Sequence, residues 1–194
     1  MATFRRFNNK NFISRVFAKK VFSNKLYGVV VTGNSWTIHQ QNTSTITGTI
    51  QIAHAANTYY AGQGSWLSGS NITLVAVDAI LTAVGTINSK TYQCEIWTDS
   101  TSLVALVGAS DGVTGNNSWS ETSQRFVFST PVSIVSGTSY AIVFTPNTAV
   151  DGANYARLSH TAAGGLSGLQ SIYNSAGVRQ TFSTVDNKLT IWKS

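Results

Sequence analysis

The sequence predicts an all-β fold: an antiparallel, jelly-roll-like β-sandwich with a short, basic, amphipathic helical arm at its N-terminus. Ser, Thr and Asn supply 63 of the 194 residues, and only 10% of residues are charged. This composition differs from that of a helical bundle, whose faces need Glu, Lys, Ala and Leu. From residue 28 onward, short apolar runs alternate with turns rich in Gly, Ser and Asn, a pattern typical of sandwiches and barrels. Seven of the thirteen basic residues lie in the first 25, before any acidic residue.

The first predicted element is a helix at residues 11–23. Its apolar residues follow spacings of three and four, and most of its cations lie off that stripe. A helix this short is marginal in water by itself, so we expect the apolar stripe to dock on another surface. The docking residues expected in the arm are Arg5, Arg6, Phe7, Phe12, Arg15, Val16, Phe17, Lys19 and Lys20.

Charge divides the chain into two predicted parts, an anchor arm (1–25) and a sandwich domain (26–194). The arm carries seven basic and no acidic side chains, whereas the domain carries six basic and seven acidic ones, a balance of −1. An arm of this kind contacts nucleic acid, an acidic surface or a partner subunit. Its five phenylalanines favour a groove on a protein. Packing against its own domain and binding to a membrane surface are the remaining alternatives.

The domain is predicted to consist of strands. Residues 45–54 alternate most clearly, with Ile46, Ile50 and Ile52 on one face and polar residues on the other. Residues 72–84 are apolar on both faces, which indicates a central strand, and we expect a bend in it near Asp78. The full set of predicted strands is 28–32, 35–39, 45–54, 72–84, 91–98, 102–107, 124–129, 138–145, 153–159, 170–174 and 187–192.

The sequence carries few residues suited to catalysis. Its three histidines and seven carboxylates form no acid–base or metal-binding motif. The single cysteine, Cys94, alternates with Tyr92 and Ile96, which predicts a small buried side chain and not a nucleophile. No apolar run approaches the roughly 20 residues of a membrane-spanning helix, and the first residues lack the features of a secretion signal. We therefore expect no enzymatic activity, no cofactor, no metal site and no membrane span.

Aromatic residues are the better indication of a binding surface. Three tryptophans, Trp36, Trp97 and Trp192, lie in strand-like runs and are predicted to be core or sheet-face residues. Other aromatic residues lie among Gly, Ser and Asn in predicted loops, where a ring can stack on a sugar, fill a subunit interface or fold back over the sandwich. These candidate glycan or interface residues are Tyr59, Tyr60, Trp66 and Trp119.

The stretch from Phe126 to Val143 reads as a strand, a short strand bounded by Pro131, a turn at Gly137 and a strand that opens with Tyr140. With the runs Tyr92–Asp99, Asn154–Arg157 and Asp186–Trp192, it resembles the β-sandwich domains called "choice-of-anchor", which occur in bacterial surface proteins and phage virion proteins. The resemblance covers about two thirds of the chain. It implies adhesion, glycan contact or assembly, and no catalytic residues. Tyr140 is expected to return its hydroxyl to the corner backbone, as tyrosine corners do.

These observations predict a virion structural protein: a phage capsid, decoration or tail-associated subunit that is made in the host cytoplasm and anchored to the particle by its arm. Its expected partners are other virion proteins and copies of itself, with nucleic acid as an alternative partner of the arm. The alternative function is a carbohydrate-binding adhesion module that uses the loop aromatics.

Overall fold

The computed structural model describes residues 35–52, 60–147, 152–162, 166, 170–175 and 178–194. All of them belong to one unit of the chain, Ser35–Ser194. The predicted arm, its helix, the strand at 28–32 and the boundary after residue 25 lie outside the described residues.

The described residues form fourteen β-strands and no helix. The strands are β1 (Thr37–Gln41), β2 (Ile46–Ile52), β3 (Ala61–Leu67), β4 (Ile72–Val84), β5 (Thr91–Asp99), β6 (Leu103–Ala109), β7 (Val113–Thr114), β8 (Thr122–Ile134), β9 (Ser139–Pro146), β10 (Tyr155–Ala162), β11 (Gln170–Ser175), β12 (Val178–Phe182), β13 (Val185–Asn187) and β14 (Leu189–Lys193).

The strands form two antiparallel sheets. The first sheet has the order β1-β14-β4-β10-β13, with β8 also paired to β4 and β2 to β10. The second sheet has the order β12-β11-β3-β9-β5-β6, with β7 also paired to β5. All-β architecture with two antiparallel sheets is therefore confirmed, and the arrangement is β-sandwich-like.

The main core lies between the two sheets. Phe126 of β8 and Phe144 of β9 meet there edge to face, with their ring centroids 5.1 Å apart, a favourable aromatic geometry. Cys94 is also fully buried in this core. Burial raises the pKa of its thiol well above the ordinary value, because an apolar environment disfavours the thiolate. The prediction that Cys94 is a core residue is confirmed.

The central strand β4 occupies the predicted range, Ile72–Val84. It pairs with β8 and also with β14 and β10. Its pairing with β8 is irregular between Leu74 and Ala76, whereas Asp78 pairs regularly with Arg125. The bend expected near Asp78 stays a prediction.

The corner between β8 and β9 has the predicted tyrosine geometry. The backbone N–H of Val135 donates to the hydroxyl of Tyr140 at 3.1 Å. Gly137 has a φ of 78° in the intervening turn, which glycine adopts without steric cost.

Pro131 lies inside β8, where the pairing with β4 skips from Val127 to Val132. A residue without a backbone N–H is tolerated at such an interruption.

The strand β3 is absent from the predicted set, and the predicted placement of Trp66 in a loop is wrong. Trp66 lies in β3 and is 0% exposed. Its indole N–H donates to Oε1 of Gln40 in β1 at 2.7 Å, so the side chain links the two sheets. The glycines and serine of Ala61–Leu67 read as a loop in sequence, because glycine is depleted from strands.

Candidate functional site

The residues predicted to be loop aromatics have different environments. Tyr59 lies outside the described residues, and Trp66 is a core residue. Trp119 is in a loop as predicted, but it is only 6% exposed and packs on Tyr92 with ring centroids 6.0 Å apart. Tyr60 is partly exposed and directly precedes β3. Tyr60 is therefore the one candidate among the described residues that presents its ring at the surface.

The second sheet has a face that points away from the core, called the outer face below. In β9, Ile142 and Phe144 belong to the core, whereas Ala141 and Val143 belong to a separate cluster on the outer face. The pairing of the strands continues this face across the sheet. In one row across the sheet, Glu95 pairs with Val143, Val143 with Gly62, and Gly62 with Ile172. In a neighbouring row, Trp97 pairs with Ala141.

On the outer face, β3 carries glycine at positions 62 and 64 and so presents no side chain there. A Cβ atom added to Gly62 would lie 2.1 Å from the carbonyl oxygen of Ile142, so only glycine fits beside the β9 backbone. The nearest residues on the same face, Ala141 and Val143, are small or short. Ala141, Val143 and Ile172 of this face are fully buried, and the partly buried side chains of Tyr60, Trp97 and Leu103 pack against them.

Trp97 is held on this face by hydrogen bonds. Its indole N–H donates to Oε2 of Glu95 at 2.8 Å, and the hydroxyl of Thr145 donates to Oε1 of Glu95 at 3.1 Å. Trp97, Glu95 and Thr145 all remain partly exposed. The indole ring and the carboxylate are thus held in a fixed relative position by two residues that are each partly exposed.

Arg179 and Asp99 form an ion pair at the same face. Nη1 of Arg179 donates to Oδ1 of Asp99, and Nη2 donates to Oδ2 at 3.1 Å. The Asp99 side chain is 0% exposed and the Arg179 side chain 12%. The backbone N–H of Ser65 also donates to Asp99, at 2.6 Å. The pair lies above Gly64, because a Cβ atom there would be 2.4 Å from Nη2 of Arg179.

Tyr60 borders this ion pair. Burial raises the pKa of the Tyr60 phenol, and Asp99 raises it further, while Arg179 and a hydrogen bond with Asn174 lower it. The net direction is upward, so the phenol is neutral at physiological pH. It can therefore both donate and accept hydrogen bonds at the outer face.

Glu95, Trp97, Asp99 and Arg179 are site residues that the sequence pattern did not single out. Three of them could have been found from the alternation in β5. There Tyr92, Cys94 and Ile96 are fully buried in the core, which leaves the intervening residues Gln93, Glu95, Trp97 and Asp99 for the opposite face. Arg179 gave no such signal, because its partner lies 80 residues away in the chain.

A second aromatic and charged cluster lies on the first sheet. Arg125 binds Asp78 through Nε at 2.7 Å and Nη2 at 2.8 Å, and the indole N–H of Trp192 donates to the same carboxylate at 2.8 Å. The Arg125 guanidinium lies 4.5 Å from the centroid of the Trp192 ring. This ring is therefore occupied by a cation–π contact.

Groups that could support catalysis or metal binding are sparse in the described part of the chain. No three His, Cys, Asp or Glu side chains among those residues lie close enough to hold a metal ion. Burial lowers the pKa of both His39 and His160, with a further contribution from Lys193 at His39. Within the same residues, no helix has the length and apolar character needed to cross a membrane.

No protein-family model matches the chain, and no curated protein sequence matches it. Functional inference therefore depends on the geometry of the two sheets and on the distribution of charge along the sequence.

Proposed function

We propose that this protein is a structural subunit of a phage virion, a jelly-roll-like β-sandwich anchored to the particle by its basic N-terminal arm. The observation that carries the proposal is the separation of charge. Residues 1–25 hold seven cations and no acidic residue, whereas residues 26–194 are nearly neutral. Such an arm is suited to attachment, and a polar body with few charges is suited to dense packing beside copies of itself.

The edge strand β6 supports an assembly role. It is the last strand in the order of the second sheet, and its side chains Val104, Leu106 and Val107 are 63%, 51% and 39% exposed. Residues 100–110 include no charged side chain. An apolar, uncharged edge strand is a liability in an isolated protein. Contact with a neighbouring subunit in a particle would cover it.

The proposal includes no catalytic step. It assigns the protein to the virion, after synthesis in the host cytoplasm, as a capsid, decoration or tail-associated subunit. The arm would dock mainly through Phe7, Phe12, Val16 and Phe17, with Arg5, Arg6, Arg15, Lys19 and Lys20 contributing electrostatic attraction. An apolar stripe flanked by cations suits a groove on an acidic protein surface.

The test is the incorporation of a truncated chain into particles. Particles would be prepared with the full chain or with residues 26–194, and the bound protein quantified by mass spectrometry. We expect the truncated chain to melt cooperatively, because the described strands all lie after residue 36, and to be absent from particles or strongly depleted. Normal incorporation would contradict the anchoring role. Unfolding of the truncated chain would show that residues 1–25 belong to the core.

Carbohydrate binding is a second candidate function, at a site other than the predicted loop aromatics. Two of the predicted loop aromatics, Trp66 and Trp119, do not support it, since both are buried. The observation that favours it is the accessible pair of Trp97 and Glu95 on the outer face of the second sheet.

A further inference from the structure

We propose that the second sheet continues from one copy of this chain into the next, with β6 of one copy paired antiparallel to β12 of its neighbour. The inference rests on the proposed assembly role, since it names the partner that covers β6 as another copy of the same chain. It also assigns a role to the opposite edge of the sheet, at β12. The contact repeats from copy to copy, so it suits a ring or a row of subunits.

The exposed apolar side chains are concentrated on the two edge strands of this sheet. Among the described residues, β6 and β12 are the two outermost strands in its order. They carry five of the eight large apolar side chains that are exposed: Val104, Leu106 and Val107 on β6, and Val178 and Phe182 on β12. Val178 is 58% and Phe182 44% exposed. A repeated contact between copies would bury both sets, which an isolated protein leaves in water.

The directions of the two edge strands suit this pairing. Five antiparallel pairings lead across the sheet from β12 to β6, and each one reverses the strand direction. Five reversals leave β6 running opposite to β12. A neighbouring copy in the same orientation would therefore bring its β12 against β6 as an antiparallel partner, with the core-facing sides of the two sheets continuous. Antiparallel pairs are the more stable kind.

Charge does not oppose the contact. The strand β6 contains no charged residue, and the only charged residue of β12 is Arg179. The Arg179 side chain is 12% exposed, and its guanidinium is bound to the buried carboxylate of Asp99 in the same chain. Neither edge therefore presents a free charge, whereas like charges on facing strands would destabilise the pairing.

The edge strand β8 of the first sheet is protected in a way that β6 is not. In the described part of the chain, β8 pairs with β4 alone. It carries Arg125, whose side chain is 45% exposed, and Pro131, which has no N–H to donate. Charged side chains and proline are common protection of an edge against pairing with another chain. The strand β6 has neither, although it contacts β8.

Pairing of β6 with a second β6 about a two-fold axis is the alternative contact between copies. It would leave Val178 and Phe182 of β12 exposed, whereas the contact between β6 and β12 covers both edges. The pairing of β6 with β5 is irregular at two points, and an irregular edge pairs less readily. A single contact is therefore expected to be weak, and many contacts in one particle would reinforce one another.

The test is sedimentation velocity of the full chain from about 10 μM to 1 mM, because one pair of strands buries less than the roughly 1,200 Å² of a stable complex. We expect the mean mass to rise with concentration and to pass that of a dimer, since every pairing leaves a free edge at each end. Leu106→Lys and Val178→Lys each place a charge on one edge, and each should remain monomeric by itself. Val135→Lys is the matched control and should associate like the wild-type chain, because Val135 is 53% exposed but lies between β8 and β9.

Mixing the two edge variants distinguishes the two modes of pairing. The Leu106→Lys chain retains an intact β12 and the Val178→Lys chain an intact β6, so their mixture should form a dimer of one copy of each and grow no further. Pairing of β6 with β6 gives a different result, because Val178→Lys would then dimerise by itself and mixing would restore nothing. Each variant should melt at the wild-type temperature. Val104→Lys and Gln180→Lys are the substitutes for a variant that melts earlier.

The proposal is overturned if the wild-type chain stays monomeric at the highest concentration, if neither edge variant reduces association, or if the mixture forms no dimer. Association that persists in both edge variants would assign the contact to another surface. Incorporation of the truncated chain into particles is a separate measurement. Self-association of the free full chain can therefore fail while the virion assignment holds, and the reverse.

Discussion

Arg179 and Asp99 form a bidentate, buried ion pair across the outer face of the second sheet, although three strands separate β12 from β5 in the sheet order. Gly64 of β3 makes this contact possible, because any side chain there would occupy the position of the guanidinium group. The pair connects the edge strand β12 to the opposite half of the sheet.

Removal of Arg179 should be strongly destabilising. Arg179→Met would leave the fully buried Asp99 carboxylate with only neutral donors such as the Ser65 N–H. Loss of one partner of a buried pair costs about 3–5 kcal/mol. We expect a fall of this size in the free energy of unfolding, measured by urea denaturation. The double variant with Asp99→Leu should lose less than the sum of the two single variants.

The matched control is Arg125→Met. Arg125 forms the same bidentate contact with Asp78, but its side chain is 45% exposed and that of Asp78 is 13% exposed, so this pair is the more exposed of the two. Solvent-exposed pairs contribute about 0–1 kcal/mol. Equal losses for Arg125→Met and Arg179→Met would show that burial does not govern the strength of these pairs.

Gly62→Ala should destabilise the sandwich, because its Cβ atom would lie 2.1 Å from the carbonyl oxygen of Ile142 and 2.6 Å from Cα of Val143. Both are backbone atoms of the central strand β9 and cannot move without disturbing the sheet. We expect a loss of about 1–3 kcal/mol, the usual cost of overpacking, in a urea or thermal melt. Gly69→Ala is the control, since a Cβ atom there meets nothing within 4 Å. The idea fails if the two variants are equally stable.

The protein should lose stability as the pH falls below about 6.5, in part through His160. Its ring packs on Gly48, its Nδ1 is buried without a partner among the described residues, and burial lowers its pKa below the ordinary value of 6.5. Above that pH both the folded and the unfolded chain hold a neutral ring. Below it the unfolded chain binds the proton more readily, so the free energy of unfolding decreases.

Urea denaturation at about pH 7.5 and 5.5 tests this effect against the variant His160→Gln. The wild-type chain should lose more stability between the two pH values than the variant. All other titratable groups are the same in the two proteins, so the difference isolates His160. An identical loss in both would assign the acid sensitivity to other groups.

The arm should attach mainly through its apolar stripe. Replacement of Phe12, Val16 and Phe17 by serine should reduce incorporation into particles more than replacement of Lys19 and Lys20 by glutamine. Raising the salt concentration should weaken attachment only in part, because screening affects the cations and not the apolar contact. The opposite order of the two variants, with a steep dependence on salt, would indicate that the arm binds nucleic acid.

Much of the fold was predictable, because alternation and turns are local signals. The predicted limits of β4 match the observed ones, and the Tyr140 corner has its expected hydrogen bond. The failure to predict β3 has a physical reason. Gly62 is required by the backbone of β9, which comes 80 residues later in the chain. A glycine needed for close approach cannot be distinguished in sequence from a glycine that forms a turn.

The candidate site shows the same limit. Period-two alternation in β5 places Glu95 and Trp97 on the face opposite Cys94, and this part could be read from the sequence. That Gly62 lies against the backbone of β9, and that Arg179 reaches this face, depends on pairings between distant strands. Trp66 was misplaced because its contact with Gln40 is likewise not local.

The most direct test of the virion assignment is a cryo-electron image of particles purified from cells that produce the full chain, at a resolution that traces strands. We expect the two antiparallel sheets at a defined position on the particle, with residues 1–25 in a groove of an adjacent subunit and β6 covered by a neighbour. Particles that lack the protein, while the cell extract contains it in full length, would contradict the assignment.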